Sequence, residues 1–120
     1  MKRYLFVLRQ PPHQSARVQE VLDQILTTGA FDCPVTLLFL DDGVLQLVGR
    51  QTVDNRALKD TAATLGALGI YGVEQLYVER ESLAKLGLAM DDLESSLVLQ
   101  SIPRAAVGEL MRGFDIVIAD

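Results

Sequence analysis

The chain contains one histidine, His13, and one cysteine, Cys33, as its candidates for proton transfer and nucleophilic chemistry. An imidazole exchanges protons near neutral pH, and a thiolate can attack or carry sulfur. His13 has no recognisable catalytic partner, so we expect an exposed or interface loop residue, with a proton-handling or ligand-contacting role as the alternative. Cys33 lies between Asp32 and Pro34, without a basic neighbour that would activate it, and we expect a structural thiol.

Short runs of acidic residues are the remaining candidates for a catalytic or metal-binding site. Asp41-Asp42 lack a third ligand and would make only a weak magnesium site, so a turn and helix cap before Gly43 is expected. Residues 79–81 (Glu-Arg-Glu) are expected to be a solvated helix start or an interface salt bridge, and residues 91–92 (Asp-Asp) a polar turn. The sequence therefore predicts no catalytic, cofactor-binding or metal-binding residue.

The loop after the first predicted strand, residues 9–15, excludes several phosphate-binding classes. It contains two prolines and no glycine. Nucleotide and flavin phosphates need glycines or free backbone N–H groups that converge on the anion, and proline supplies no donor. A phospho-receiver domain would need acidic residues in this loop and an aspartate at the end of the third strand, where the chain has Arg9-Gln10 and Glu79-Arg80. No cofactor is expected.

The amino-acid composition further restricts the classes of protein to which the chain could belong. The 120 residues carry 11 Lys and Arg against 16 Asp and Glu, a net charge of −5, which makes the chain a poor direct ligand for nucleic acid. A single cysteine excludes a disulfide framework and suits a reducing compartment. We expect one domain over residues 1–120, cytoplasmic and without a membrane segment. The 49% apolar content and mean hydropathy of +0.23 suggest that part of the surplus lies in a subunit interface.

Apolar runs and helical spacings alternate along the chain. The runs predict strands at Tyr4–Leu8, Val35–Leu40, Gln75–Val78, Leu97–Gln100 and Phe114–Ile118. The intervening helices are expected to begin near Ser15, Asp54, Ser82 and Pro103 and to end near Gly29, Gly69, Gly87 and Gly113, with a short helical or turn segment at Val44–Val48. Parallel neighbours require such crossovers, so the predicted fold is a three-layer α/β/α domain with a five-stranded, mostly parallel sheet.

The order of motifs also resembles a known family. The relevant elements are Pro12-His13, the run Leu38-Phe39-Leu40-Asp41-Asp42-Gly43-Val44-Leu45-Gln46-Leu47, Leu68-Gly69-Ile70-Tyr71, Glu74-Gln75, Ser82-Leu83 and Gly87-Leu88. Together they resemble the TusC/DsrF family of the DsrE/F/H-like proteins over essentially the whole length. The family loop usually continues Pro-His-Gly, whereas this chain has Gln14 in place of that glycine.

The resemblance implies a function that the residues alone do not. It implies a subunit of a sulfur-relay heterohexamer with TusB-like and TusD-like sister chains. Such a complex passes persulfide sulfur from a TusA-like to a TusE-like carrier, towards 2-thiolation of the tRNA wobble uridine. The DsrE/F/H counterpart serves sulfur oxidation. The sulfur-carrying cysteine of the TusD/DsrE paralogue ends the third strand and aligns with Leu76–Glu79 here, where no cysteine occurs, which implies a docking subunit that is not itself catalytic.

Several alternatives remain open at this point. The chain could be an independent small-molecule-binding α/β module, or Cys33 could carry the persulfide. Val44–Val48 and Gly66–Tyr71 are apolar enough to contact sister chains, or they could simply pack on the sheet.

Overall fold

The computed structural model describes residues 2–11, 16–31, 33–48, 73–93 and 98–120. Its strands are β1 (Tyr4–Leu8), β2 (Val35–Phe39), β3 (Val73–Glu79), β4 (Leu99–Ile102) and β5 (Ile116–Ala119). Its α-helices are α1 (Ala16–Ala30), α2 (Arg80–Lys85) and α3 (Val107–Arg112), with 3-10 helices at Asp41–Leu47, Met90–Asp92 and Arg104–Ala106. Within these ranges, the predicted alternation of strands and helices is confirmed.

The five strands form one sheet in the order β4-β3-β2-β1-β5, and each neighbouring pair is parallel. The predicted five-stranded α/β sheet is therefore confirmed. From β1 to β4 the strands are added in one direction, and β5 then pairs on the other side of β1. Because parallel crossovers are right-handed, this reversal places the last helix on the opposite face from the earlier ones. All five carboxyl ends meet at one edge of the sheet.

Alternate side chains of the strands build two hydrophobic cores. The first core contains Phe6 and Phe39 from the sheet, with Ile25 of α1 and Leu83 of α2 packed against them. The second core, on the other face, contains Leu5, Val7 and Leu38, and the side chains that cover it from α3 are Val107, Leu110 and Met111. Helices therefore cover both faces of the sheet, α1 and α2 on the first core and α3 on the second. No helix in the described ranges is long and apolar enough to cross a membrane.

Four predicted strand boundaries are wrong by two residues: the start of β3, both ends of β4 and the start of β5. The strand β3 begins at Val73 instead of Gln75, and β4 ends at Ile102 instead of Gln100. The fourth strand was expected at Leu97–Gln100, but β4 begins at Leu99, which pairs with Leu76, and the preceding Val98 is 87% exposed. An edge strand needs only alternate apolar residues, so the uninterrupted apolar run was a poor guide to its start. The fifth strand begins after Phe114, whose ring instead packs in the second core and lies 4.7 Å from the guanidinium carbon of Arg3.

Two glycines have clear structural roles. Gly87 adopts a φ of +71° and ends α2 as predicted, because the N–H groups of Gly87 and Leu88 donate to the carbonyls of Ala84 and Leu83. Gly43 lies so close to β1 that a Cβ atom there would be 1.9 Å from the carbonyl oxygen of Leu8. By contrast, the expected stop at Gly29 is wrong by one residue, since α1 continues to Ala30.

The segment Val44–Val48 is largely a 3-10 helix, as its sequence indicated. Val44 and Leu47 are buried inside this chain itself, which accounts for their apolar character without a partner. The helix predicted after Asp54 and the segment Gly66–Tyr71 lie outside the described residues.

Candidate functional site

Charged residues collect at the edge where the parallel strands end. In an open parallel sheet this carboxyl edge is the usual place for function. In sheet order, starting from β4, the edge carries Arg104, Glu79, Asp41, Arg9 and Asp120. Each follows or ends a different strand, so the topology brings together residues that are far apart in sequence.

Glu79 is the buried centre of this group. It is the last residue of β3, and its side chain is 4% exposed. The hydroxyl of Ser82 donates to Oε1 of Glu79 at 2.7 Å and accepts a hydrogen bond from the backbone N–H of Asp41 at 2.7 Å. Ser82 is itself buried in the first turn of α2. This relay of two hydrogen bonds joins the ends of β2 and β3.

Arg104, the first residue of the 3-10 helix after β4, pairs with the same carboxylate. Its Nη2 and Nε atoms lie 2.9 and 3.3 Å from Oε1 of Glu79. The Arg104 backbone N–H donates to both carboxylate oxygens of Glu81 at 2.9 Å. The hydrogen bond to Glu79, followed by the charge of Glu79, raises the pKa of Arg104 above its ordinary value. The cationic guanidinium lies against the buried Glu79 carboxylate and offsets its charge.

A second, more exposed set of contacts continues along the edge. The backbone of Asp41 has a φ of 51°, a left-handed conformation that is uncommon outside glycine but that aspartate tolerates. Nε of Arg9 lies 3.4 Å from Oδ2 of Asp41, and the Arg9 backbone N–H donates to Oδ1 of Asp120 at 2.8 Å. Asp41 was expected to cap the following helix, but the cap position is Leu40 and no side chain bonds there.

An open cavity of about 570 Å³ lies beside these residues on the α3 side of the sheet. Its apolar lining comes from the strands and from α3, whereas its charged lining comes from the carboxyl edge and α2. The lining residues are Val7, Arg9, Leu40, Asp41, Glu79, Lys85, Arg104, Val107, Gly108, Met111, Val117 and Ala119.

Comparison with known proteins assigns this chain to a family. The model of the DsrE/DsrF-like family matches residues 2–114. The chain belongs to the DsrE/DsrF-like family. It is 40% identical to "Protein TusC homolog" of Pseudomonas aeruginosa over 95% of this chain and 94% of that protein. It is 34% identical to "Intracellular sulfur oxidation protein DsrF" of Allochromatium vinosum over 99% of this chain and 96% of that protein.

Solved structures agree with this family fold. The crystal structure of the YchN protein of E. coli matches with a TM-score of 0.75 over the whole of both chains, at 14% identity. A protein of Methanobacterium thermoautotrophicum matches with a TM-score of 0.69 at 15% identity, again over both whole chains. At these identities the likeness concerns the fold alone. The TusC and DsrF relatives make the chain a member of a sulfur-relay family.

The end of β3 in this DsrE/DsrF-like chain carries no thiol. Tyr77 packs in the second core, Val78 is buried in the first, and Glu79 is held by Ser82 and Arg104. Oε1 of Glu79 accepts all of these hydrogen bonds, so the side chain has a fixed structural environment. As arranged, the site can hold charge and connect loops, and it offers no sulfur atom for a persulfide.

The other residues singled out from the sequence lie elsewhere. Cys33 precedes β2 at the opposite, amino edge, with Sγ 3.8 Å from the carbonyl oxygen of Phe31. His13 and Gln14 lie outside the described residues. Asp92 forms the predicted polar turn, because its carboxylate accepts from the N–H of Ala89 at 2.8 Å. Within the described ranges, no group of three His, Cys, Asp or Glu residues could hold a metal ion.

Sequence reasoning missed the two residues that hold Glu79. The sequence predicts that residues 79–81 form a solvated helix start or an interface salt bridge. In the structure Glu79 is buried, and the carboxylates of Glu79 and Glu81 both accept hydrogen bonds from Arg104 of the same chain. A serine three residues after an acidic strand end was a visible signal for a local hydrogen bond. Arg104 had none, because its proximity depends on the pairing of β3 with β4.

Proposed function

We propose that this chain is a non-catalytic subunit of a cytoplasmic, TusBCD-like sulfur-relay complex. In this role it assembles with TusB-like and TusD-like sister chains in a heterohexamer. The complex takes persulfide sulfur from a TusA-like carrier and passes it to a TusE-like carrier for 2-thiolation of the tRNA wobble uridine. Identities of 37–40% to proteins named TusC or TusC homologue, over most of the chain, support this proposal.

The non-catalytic role rests on one observation, which is that the last residue of β3 is Glu79 and not a cysteine. A sulfur carrier needs a thiolate that a second sulfur can reach. At this position the chain instead has Glu79, whose carboxylate is buried and bonded to Ser82 and Arg104. A carboxylate cannot form a persulfide. Arg104 balances the charge of this carboxylate, and Ser82 donates a hydrogen bond to it. The subunit would therefore contribute by binding sister chains, while a paralogous chain supplies the thiol.

Co-purification combined with nucleoside analysis tests the proposal. The tagged chain is purified from its host at natural abundance, and transfer RNA from a deletion strain is digested and analysed for 2-thiouridine. We expect two homologous small chains in a stable complex and loss of the thiolated wobble nucleoside on deletion. Recovery of the chain alone, together with normal thiolation in the deletion strain, would favour an independent module and contradict the proposal.

A second candidate function keeps the same assembly in another pathway. The 34% identity to the DsrF protein of Allochromatium vinosum, over 99% of this chain, favours a DsrF-type subunit in sulfur oxidation as the alternative. The deletion strain separates the two. Normal wobble-uridine thiolation with impaired oxidation of stored or reduced sulfur supports the DsrF-type role, and loss of thiolation supports the TusC-type role.

A further inference from the structure

The cavity on the α3 side of the sheet is lined by more cationic than anionic side chains. The cations are those of Arg9, Lys85 and Arg104, and the carboxylates are those of Asp41 and Glu79. The lining therefore has one positive charge in excess, although the whole chain carries a net charge of −5. A positive excess favours an anionic ligand, and the two carboxylates disfavour an anion of high charge.

The two guanidinium groups lie beside the ends of neighbouring strands. Nη2 of Arg104 is 2.9 Å from Oε1 of Glu79, the last residue of β3. Nε of Arg9 is 3.4 Å from Oδ2 of Asp41, which follows β2. Because β2 and β3 are paired, and paired strands lie about 4.8 Å apart, one small anion above these strand ends can contact both guanidinium groups.

Lys85 reaches the same place from α2. The hydroxyl of Ser82 accepts a hydrogen bond from the backbone N–H of Asp41 at 2.7 Å, which holds this side of α2 against the segment after β2. Lys85 follows Ser82 by three residues, and residues with this spacing lie on the same side of a helix. Lys85 forms no ion pair in the part of the chain that the structure describes, so its ammonium group can bind a ligand above the end of β2.

Both arginines retain hydrogen-bond donors after their own ion pairs have formed. A guanidinium carries N–H donors on each of its nitrogens. Arg104 uses Nε and Nη2 to bind Glu79, and Arg9 uses Nε to bind Asp41. Among the described residues, Nη1 of Arg104 and both Nη atoms of Arg9 have no acceptor. A carboxylate suits these donors, because it accepts charge-assisted hydrogen bonds from guanidinium and ammonium groups alike.

The remaining lining of the cavity is aliphatic. Val107 and Met111 lie one turn apart on α3, and together with Leu40 they pack only partly into the second core and also line the cavity. None of the described lining residues is aromatic, which favours a saturated chain over a flat ring. The volume of about 570 Å³ lies within the range of roughly 300–1,000 Å³ that is usual for small-molecule sites.

We infer that this cavity binds a small aliphatic monocarboxylate. The carboxylate lies above the end of β2, where Lys85 and the free N–H groups of Arg9 and Arg104 contact it. The aliphatic chain extends towards α3 and contacts Val107 and Met111. The inference rests on the cavity alone and does not depend on sulfur transfer.

Titration of the full-length chain with hexanoate, followed by NMR, tests this site. Hexanamide has the same chain without the charge, and acetate has the same charge without the chain. We expect hexanoate to bind about fivefold more tightly than hexanamide and about tenfold more tightly than acetate, and to move the amide resonances of Leu40, Val107 and Met111. Equal binding of hexanoate and either control, shifts confined to other surfaces, or no binding of hexanoate would overturn the inference.

The carboxyl terminus of a protein offers the same chemistry, so acetylglycylleucine with a free terminal carboxylate serves as a further probe. Its amide groups would lie against the aliphatic lining without hydrogen-bond partners, and we expect it to bind more weakly than hexanoate. Tighter binding of this peptide would overturn the assignment to a free acid in favour of a protein terminus.

Two lysine variants supply the control. Lys85→Gln should weaken hexanoate binding about fivefold and leave hexanamide binding within about twofold, because only the acid interacts with the charge. Lys2→Gln removes the same charge from an exposed residue before β1, at the opposite edge of the sheet, and should leave binding of both probes within about twofold. Equal hexanoate affinities of the two variants would overturn the inference. Because the assay contains no sister chain or sulfur donor, its failure is distinguishable from failure of the relay proposal.

Discussion

Glu79 and Arg104 form an ion pair in which one partner is buried and the other is exposed. Nη2 of Arg104 lies 2.9 Å from Oε1 of Glu79. The Arg104 side chain is 60% exposed, and the Glu79 side chain is 4% exposed. The exposed partner retains much of its hydration, but the buried carboxylate depends on the pair and on Ser82. The ion pair and Ser82 therefore hold the carboxyl end of β3 against the segments that follow β2 and β4.

Removing the exposed partner should destabilise the fold. Arg104→Met keeps much of the aliphatic side chain but leaves the Glu79 carboxylate buried without a counter-charge, so the thermal midpoint should fall. Adding Glu79→Met should recover part of the loss, because the uncompensated charge disappears. Thermal unfolding followed by circular dichroism measures both effects. Arg112→Met, at the exposed end of α3, is the control and should change little; a loss as large as that of Arg104→Met would contradict the account.

Ser82→Ala should cost about 1–3 kcal/mol of unfolding free energy. The substitution removes the acceptor for the Asp41 N–H and the donor to Glu79, both at 2.7 Å, in a buried setting. Urea unfolding measures the change. Ser101→Ala on β4 is a matched control, since the Ser101 hydroxyl forms no side-chain hydrogen bond within the described residues. Indistinguishable midpoints for the two variants would show that the Ser82 relay contributes nothing.

Gly43→Ala should destabilise the chain by about 3 kcal/mol, because the new methyl group would overlap the backbone of Leu8. Gly108→Ala provides the opposite case on α3. Nothing lies within 4 Å of a Cβ atom there, and alanine favours a helix, so stability should rise by up to about 1 kcal/mol. Chemical unfolding of both variants checks the pair. If Gly43→Ala leaves the free energy of unfolding unchanged, β1 and the 3-10 helix at Asp41–Leu47 can move apart at little energetic cost, which would contradict this prediction.

The fold was largely predictable because its signals are local. Continuous apolar runs marked β1 and β2, which are covered on both faces, and Gly87 marked the end of α2. The ends of the later strands were less predictable, because the bounds of β3, β4 and β5 depend on pairing with neighbouring strands. The start of β4 at Leu99, rather than at Leu97, follows from its register with Leu76.

The site was less predictable because its contacts are not local. Glu79 and Arg104 are 25 residues apart, and Ser82 and Asp41 are 41 residues apart. No periodic pattern indicates such pairs; they depend on the sheet order. The absence of a thiol at Leu76–Glu79 was visible in the sequence, but the burial of Glu79 and the partners that neutralise it emerged only from the fold.

Cys33→Ser should leave sulfur transfer through the assembled complex unchanged. Cys33 precedes β2, and the five residues of that strand separate it from the carboxyl edge by about 16 Å. Transfer from a persulfidated TusA-like donor to a TusE-like acceptor, followed by gel shift of the acceptor, measures the rate. The matched control is replacement of the thiol on the sister chain, which should abolish transfer. A large loss of rate with Cys33→Ser would restore this cysteine as the sulfur carrier.

Intact-mass spectrometry of the complex during turnover tests the central claim most directly. The chain is assembled with its sister subunits, incubated with a persulfidated donor and analysed under non-reducing conditions. We predict that a sister chain gains the mass of one sulfur atom and that this chain, with Glu79 at the end of β3, gains none. A donor-dependent gain of sulfur on this chain, lost in the Cys33→Ser variant, would contradict the account.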